Sequence, residues 1–479
     1  MAGSCFDEKV NSALSQQSGL DRGMKSRHLF MITLGGVIGT GLFLASGSTI
    51  NQAGPGGAVV AYVIGGFIMY MVMLCLGELA VAMPIAGSFQ TYASTFISPS
   101  VGYLLGWLFW LNGATTIGID LVAAGMLMKN LTQVSEWIWV LGFGFVLFGL
   151  NSLRVGAFGE SEFWFASIKV AAIVACIITG GLAMTGTIGG HGAIGLSNYF
   201  ADGLFPNGVG AILLAMLTVA FAFNGTEIIG IAAGESENPE KSIPKAVNAT
   251  AFRTLLFYVL SIIVVAAIVP WKEAGVKESI FAEVFQYAGI PGAYTIMTLV
   301  VITSALSCGN SWAYSSTRIL WAMSKGGMAP ASLGKLNKYQ VPMNALILTM
   351  AVAGVSLLCS VYAADSVYLW LISICGLAGV LGWMGICASQ FRFRTQFINS
   401  GGKLTDLKYR TPLFPLVPAL GFFLNLVIVI GLWFDESQRI AIYAGVPFII
   451  VVMAYYYLVV APKRAAMNKQ SGNEMNINE

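Results

Sequence analysis

Runs of about twenty apolar residues recur from one end of this chain to the other, and two of them are interrupted near their middles. A run of that length spans the hydrocarbon core of a bilayer, where every backbone N–H and C=O must find its partner inside the protein. The runs lie near residues 29–50, 57–83, 101–128, 137–153, 163–186, 208–233, 246–270, 291–322, 342–362, 366–390, 412–434 and 439–461. They predict an all-α polytopic membrane protein with twelve transmembrane helices. Charged residues make up only 10% of the 479 positions and apolar residues 57%, which excludes an ordinary soluble domain.

The interruptions narrow the prediction. In Leu34–Phe43 of the first span, Gly35, Gly36, Gly39 and Gly41 fall close together, and each interior glycine costs a helix about 1 kcal/mol relative to alanine. The sixth span is broken in the same way around Ala220-Phe-Ala-Phe-Asn-Gly-Thr-Glu227. Backbone groups freed at membrane depth are tolerated only where protein or a wet cavity receives them, so paired breaks mark a binding site between two repeats. The repeats hold five helices each. Five is odd, so the second copy enters the membrane from the opposite face and is inverted relative to the first. The expected divisions are a tail at 1–27, a first repeat at 28–205, a second at 206–395, helices 11 and 12 at 396–462, and a tail at 463–479.

Loop charge orients the chain. With the N-terminus inside, only Lys129, Lys272, Lys277 and Arg439 face outward and Lys169 lies within a span; the remaining Lys and Arg, Arg154 among them, fall on the inner side. Both termini are then cytoplasmic, and residues 1–27 lead straight into the first helix without a separate cleavable signal. The seven cysteines are scattered without disulfide or zinc spacing, and His28 and His191 are the only histidines. No metal, cofactor or nucleic-acid partner is expected. The chain has no GxxxxGK[ST] loop for an ATP-driven pump, and no set of residues that suggests an enzyme. A channel is disfavoured by the paired breaks.

Orientation gives the breaks a polarity. Beyond the first break the outer half-helix aims its N-terminus at the midplane, so a substrate carboxylate is expected on the N–H groups of Gly39, Thr40 and Gly41. The other reading of these glycines is close helix packing. The first half of span six ends in unpaired carbonyls, and an ammonium group is expected near the carbonyls of Val37, Phe221 and Asn224.

Charged residues within spans are functional candidates. Lys169 lies about 13 Å deeper than Glu160 along a helix and is the candidate proton-coupling residue, or else a fixed cation bonded to first-helix carbonyls. Glu227 follows the second break and is a candidate for the substrate amine, the coupling proton, or the N–H groups of the second half-helix. Asp120, one turn after Thr116, either closes a pocket for a cationic side chain or pairs with another buried polar group. Glu78, Glu235 and Arg318 sit near inner ends as gate candidates. Ser304, Ser307, Asn310 and Ser311 form a polar stripe in span eight; Ser307 and Asn310 share a face and either line the side-chain pocket or bond their own helix.

Gly35–Phe43, the Gly54-Pro-Gly56 turn, Glu162-Phe-Trp-Phe-Ala-Ser-Ile-Lys169, Phe223–Glu227 and Gly230–Pro239 together resemble the amino-acid transporter branch of the amino acid, polyamine and organocation superfamily. The chain looks most like bacterial lysine and other basic amino-acid permeases, with S-methylmethionine permeases close behind. The resemblance implies a LeuT-like fold of five plus five inverted helices plus two, in the bacterial cytoplasmic (inner) membrane. It implies amine contacts at Val37, Phe221 and Asn224, an aromatic gate at Phe221, and a lysine at 169 in the place of the sodium ion of sodium-coupled members. Glu227 is shared with neutral amino-acid carriers and does not by itself specify a basic substrate. The expected function is proton-coupled import, by alternating access, of a cationic amino acid such as lysine or arginine. The alternatives are an S-methylmethionine or neutral amino-acid symporter, and an exchanger. Amino acid, proton and lipid are the expected partners; the oligomeric state is not readable from the sequence.

Overall fold

The computed structural model describes residues 2–16, 20, 23–153, 155–190, 192–275, 279–434, 436 and 438–465, without side chains at 2–5, 16, 155–157 and 356–368. Arg154, His191, Lys277 and the tail from 466 lie outside the described residues. All regular elements among the described residues are helical, with one isolated bridge between Met24 and Ser236.

Nine helices among the described residues are long and apolar enough to cross a membrane: Ala45–Ala82, Pro99–Thr132, Phe158–Met184, Gly210–Glu235, Pro239–Ile268, Ala293–Lys325, Leu369–Asn399, Leu416–Phe434 and Arg439–Ala465. Glu136–Asn151 and Met343–Val355 are apolar but shorter. Three expected spans therefore differ from a plain crossing helix. The first is cut by its break, the fourth is a helix of 16 residues, and the ninth runs on without interruption into the tenth as Met343–Asn399. Large apolar side chains such as Phe145, Trp164, Phe252 and Leu458 stand exposed around the outside, where lipid would cover them.

Both predicted breaks are present. The first helix, Ser26–Val37, ends at Ile38 (φ −78°, ψ 94°) and Gly39 (φ −140°, ψ −152°), and winding resumes at Thr40–Phe43. After Leu44 the chain continues into Ala45–Ala82, which bends at Gly54 (φ 76°, ψ 173°). The outer end of span one and all of span two thus form one bent element, because glycine alone takes this backbone conformation without strain. In the sixth span, Gly210–Phe223 stops at Asn224 (φ −62°, ψ 144°), Gly225 takes φ 100°, and Ile228–Ala232 follows.

The two breaks face each other at backbone distance. A Cβ on Gly41 would stand 2.7 Å from the Ala222 Cα, one on Gly36 2.7 Å from Ile228 Cδ1, and one on Gly39 2.6 Å from Cys308 Sγ. A Cβ on Gly225 would overlap the Gly36 carbonyl. The glycines therefore do both things foreseen for them: they permit the break, and they let span one approach the backbone of span six and the Cys308 side chain of span eight closely. Behind the contact, Phe223 stacks on Tyr258 at 4.8 Å and Tyr62 meets Tyr258 edge-on at 6.1 Å.

The polar stretch after span two contains the buried helix Ser88–Phe96. The N-terminal tail is not uniformly extended: Ala2–Gln16 is helical, since Phe6, Val10 and Leu14 recur every fourth residue and make an apolar stripe. The Phe6 ring lies 6.1 Å from Phe96, 5.8 Å from Phe393 and 5.7 Å from Phe397.

Candidate functional site

Lys169 comes from the middle of the Val155–Met184 helix and is 1% exposed. Its Nζ donates to the carbonyls of Gly35 at 2.7 Å and Ile38 at 2.8 Å, with Ser304 O at 3.5 Å. Gly35 is in the last turn before the first break and Ile38 is in it. The carbonyls released by the missing turn are thus received by a buried ammonium group, and the Ser304 hydroxyl adds a bond to Ile38 O at 3.0 Å.

On the far side of the break, the Thr40 hydroxyl donates to Asp120 Oδ1 at 2.7 Å. Asp120 is 1% exposed, and its second oxygen, Oδ2, has no hydrogen-bond partner. Asp120, expected either to close a substrate pocket or to pair with another buried polar group, thus bonds Thr40 and lies beside Gly39, where the substrate carboxylate was expected. Thr116, one turn earlier, donates weakly to Asn112 Oδ1 at 3.4 Å and to Cys375 Sγ at 3.6 Å.

Of the three carbonyls named for an ammonium group, Val37 O accepts from the Tyr258 hydroxyl at 2.9 Å and Phe221 O from the Asn224 N–H at 3.1 Å. Each carbonyl has two lone pairs and keeps one. The Asn224 side chain donates to Cys375 O at 3.3 Å. The Phe221 ring is buried. Glu227 is buried too; its Oε2 accepts from the Gly225 N–H at 3.2 Å and from the Trp383 indole N–H at 3.2 Å. It holds the second break in shape in the way Lys169 holds the first.

Ser307 and Asn310 do share a face, and that face meets a carboxylate. Ser307 Oγ donates to Glu162 Oε1, and Asn310 Nδ2 donates to Glu162 Oε2 at 3.1 Å. Asn151 in turn donates to Asn310 Oδ1 at 2.8 Å. Glu162 is fully buried and was not singled out among the charged residues within spans, although its spacing of two helical turns from Lys169 was a usable signal. Nearer the predicted inner face, Arg318 Nε pairs with Glu235 Oε1 at 2.9 Å, and the Tyr314 hydroxyl joins the same oxygen at 3.0 Å. Arg394 grips Glu78 through both Nε and Nη2, with the Thr411 N–H adding 2.8 Å and Gln390 2.9 Å. All four partners in these two ion pairs are buried.

The fold and site define a helical protein whose two broken crossing segments meet around a buried lysine and several buried carboxylates. The family model for amino acid permeases matches residues 28–469. The chain is 55% identical to the amino-acid permease RocC of Bacillus subtilis (strain 168), over 92% of this chain and 94% of that one. It is 48% identical to a putative histidine permease of the same organism (92% and 94% covered) and 41% identical to the lysine-specific permease LysP of Escherichia coli (strain K12) (93% and 95% covered). The chain belongs to the amino acid permease family, and it is a multi-pass membrane protein.

Proposed function

We propose that this protein is a proton-coupled symporter that carries a cationic amino acid, lysine or arginine, into the cell across the bacterial cytoplasmic membrane, with both termini inside. In this reading the chain crosses twelve times, as two inverted five-helix repeats and two further helices, and alternates access around the paired breaks. One observation carries the coupling: the buried Lys169 ammonium is bonded to the carbonyls of Gly35 and Ile38 at 2.7 and 2.8 Å. As an ammonium it offers a proton to every carbonyl around it. As a neutral amine it would turn a lone pair toward one of them, so loss of the proton loosens the fifth span's hold on the first.

The substrate is bound by the breaks themselves. Its carboxylate takes the N–H groups at Gly39, Thr40 and Gly41, and its ammonium takes the remaining lone pairs near Val37, Phe221 and Asn224. Phe221 closes over it, and Thr116 borders the pocket. Asp120 takes the Thr40 hydroxyl beside the proposed carboxylate site, so the buried Glu227 carboxylate at the second break is what supports a positively charged substrate group. Relatives named for lysine and for histidine point to the same class. Glu78, Glu235 and Arg318 belong to the inner gate.

Purified protein in proteoliposomes tests this. An imposed inward proton gradient should drive labelled lysine or arginine into empty vesicles, and K169A should abolish that accumulation. Exchange in preloaded vesicles without any gradient-driven uptake would refute symport, and indifference to every cationic amino acid in a competition panel would refute the substrate class.

A further inference from the structure

Glu162 and Lys169 are oppositely charged, fully buried, and on one face of one helix, yet they are held apart. Seven residues separate them, two turns or about 10 Å of rise. Among the described residues no ion pair within 4.0 Å joins Lys169 to a carboxylate. Its protons go to the carbonyls of Gly35 and Ile38, with Ser304 O farther off at 3.5 Å. The Glu162 carboxylate is satisfied by the neutral donors Ser307 and Asn310. Gly35 stands between the two, since its carbonyl binds the ammonium while Glu162 Oε1 fills the space a Cβ on Gly35 would need.

Burying two charges separately is costly, and direct pairing would offset part of that cost. What prevents that pairing is the first span, the broken element whose movement transport requires. Of the other titratable groups around the pair, Asp120 on Pro99–Thr132 accepts from Thr40 at 2.7 Å through Oδ1 and keeps Oδ2 unpartnered, and Cys308 on Ala293–Lys325 donates to Gly36 O at 3.3 Å. Below Glu162, on the side read as inner, the buried His28 ring packs on Gly159 and its Nε2 lies 3.1 Å from Glu160 Oε2, which is 44% exposed and also bound by Arg27.

We propose that Glu162 is the proton acceptor for Lys169, an inference that rests on the symport reading above. When the first span shifts and withdraws the carbonyls of Gly35 and Ile38, an N–H bond of the ammonium breaks and an O–H bond forms on Glu162. A neutral amine and a neutral carboxylic acid result. Glu162 then releases the proton toward the His28 and Glu160 end of the helix and returns to its carboxylate form.

The test uses wild type, E162Q and E162D in proteoliposomes holding an internal pH dye, with labelled lysine. It reads proton-driven accumulation, protons moved per substrate, and counterflow at equal pH. E162Q should lose at least about tenfold in accumulation and move almost no protons per lysine, while counterflow persists. E162D should keep the wild-type proton ratio at a lower rate. Wild-type coupling in E162Q overturns the inference. So does loss of counterflow together with accumulation in E162Q of unchanged thermal stability, which would make the residue a structural or substrate contact. If E162Q does not fold, E162D decides, and an altered proton ratio or an unaltered rate in it overturns the assignment. A wild-type protein that shows no proton-driven accumulation refutes the symport reading itself, an outcome distinct from all of these.

Discussion

At the scale of single residues, the site is built from side chains that stand in for backbone partners. Lys169 replaces the N–H groups a continuous helix would have offered to Gly35 and Ile38, and Glu227, itself held by the Trp383 indole N–H, does the complementary work for the Gly225 N–H. Gly41 shows how little room this leaves, because an added methyl would meet the Ala222 Cα at 2.7 Å, and backbone cannot rotate away as a side-chain end would. G41A should therefore push spans one and six apart, lower stability by about 1–3 kcal/mol as overpacking does, and reduce lysine uptake more than it reduces the melting temperature. A detergent melt beside a transport assay reads both. The glycine run was legible in sequence as a break, and Lys169 as a buried cation bonded to first-helix carbonyls, one of the two readings made of it. The role of Glu162 was not: the predicted fifth span begins at 163, so Glu162 passed for a charge of the polar segment before it, whereas the crossing helix starts at Phe158 and buries it.

At the scale of elements, buried ion pairs fasten the helix ends on the side read as inner. Sequence placed Glu78, Glu235 and Arg318 there but did not assign their partners, because Glu78 and Arg394 are 316 residues apart and only tertiary packing joins them. Glu78 accepts from Arg394, Gln390 and the Thr411 N–H, so truncating Arg394 strands a buried carboxylate. R394M should cost about 3–5 kcal/mol, and the double variant E78Q/R394M should recover much of that, because replacing both charges removes the unpaired one. Chemical or thermal unfolding of the four-member cycle measures the difference. The side read as outer carries a weaker clasp: Lys272 Nζ lies 2.9 Å from Asp202 Oδ2, and the Trp271 indole N–H donates to the same oxygen at 3.0 Å. These bonds hold the Asp202 carboxyl below its usual range. A carboxyl lowered in the folded state contributes fully above its ordinary value, about pH 4, and the contribution fades as pH falls below that. The indole N–H resonance of Trp271, assigned by its loss in W271F, should stay constant from neutral to mildly acidic pH and move only below about pH 4; in D202N it should be shifted throughout.

At the scale of the whole molecule, the breaks, the buried charges and the direction of transport have to agree on how much charge crosses per cycle. If a cationic amino acid enters with one proton, two positive charges move inward, and each gains about 2.3 kcal/mol per 100 mV of interior-negative potential. An exchanger that swaps one cationic amino acid for another moves no net charge and gains nothing. The two mechanisms therefore separate cleanly under voltage. In proteoliposomes at equal pH inside and out, a potassium diffusion potential, interior negative, should drive accumulation of labelled lysine, and collapsing it with external potassium should release the label. K169A should respond less steeply, because a carrier that no longer takes up its proton moves one charge where the wild type moves two. Accumulation that ignores the potential would overturn net charge movement, and with it the link drawn from Lys169 at the first break to a cation held between the two breaks.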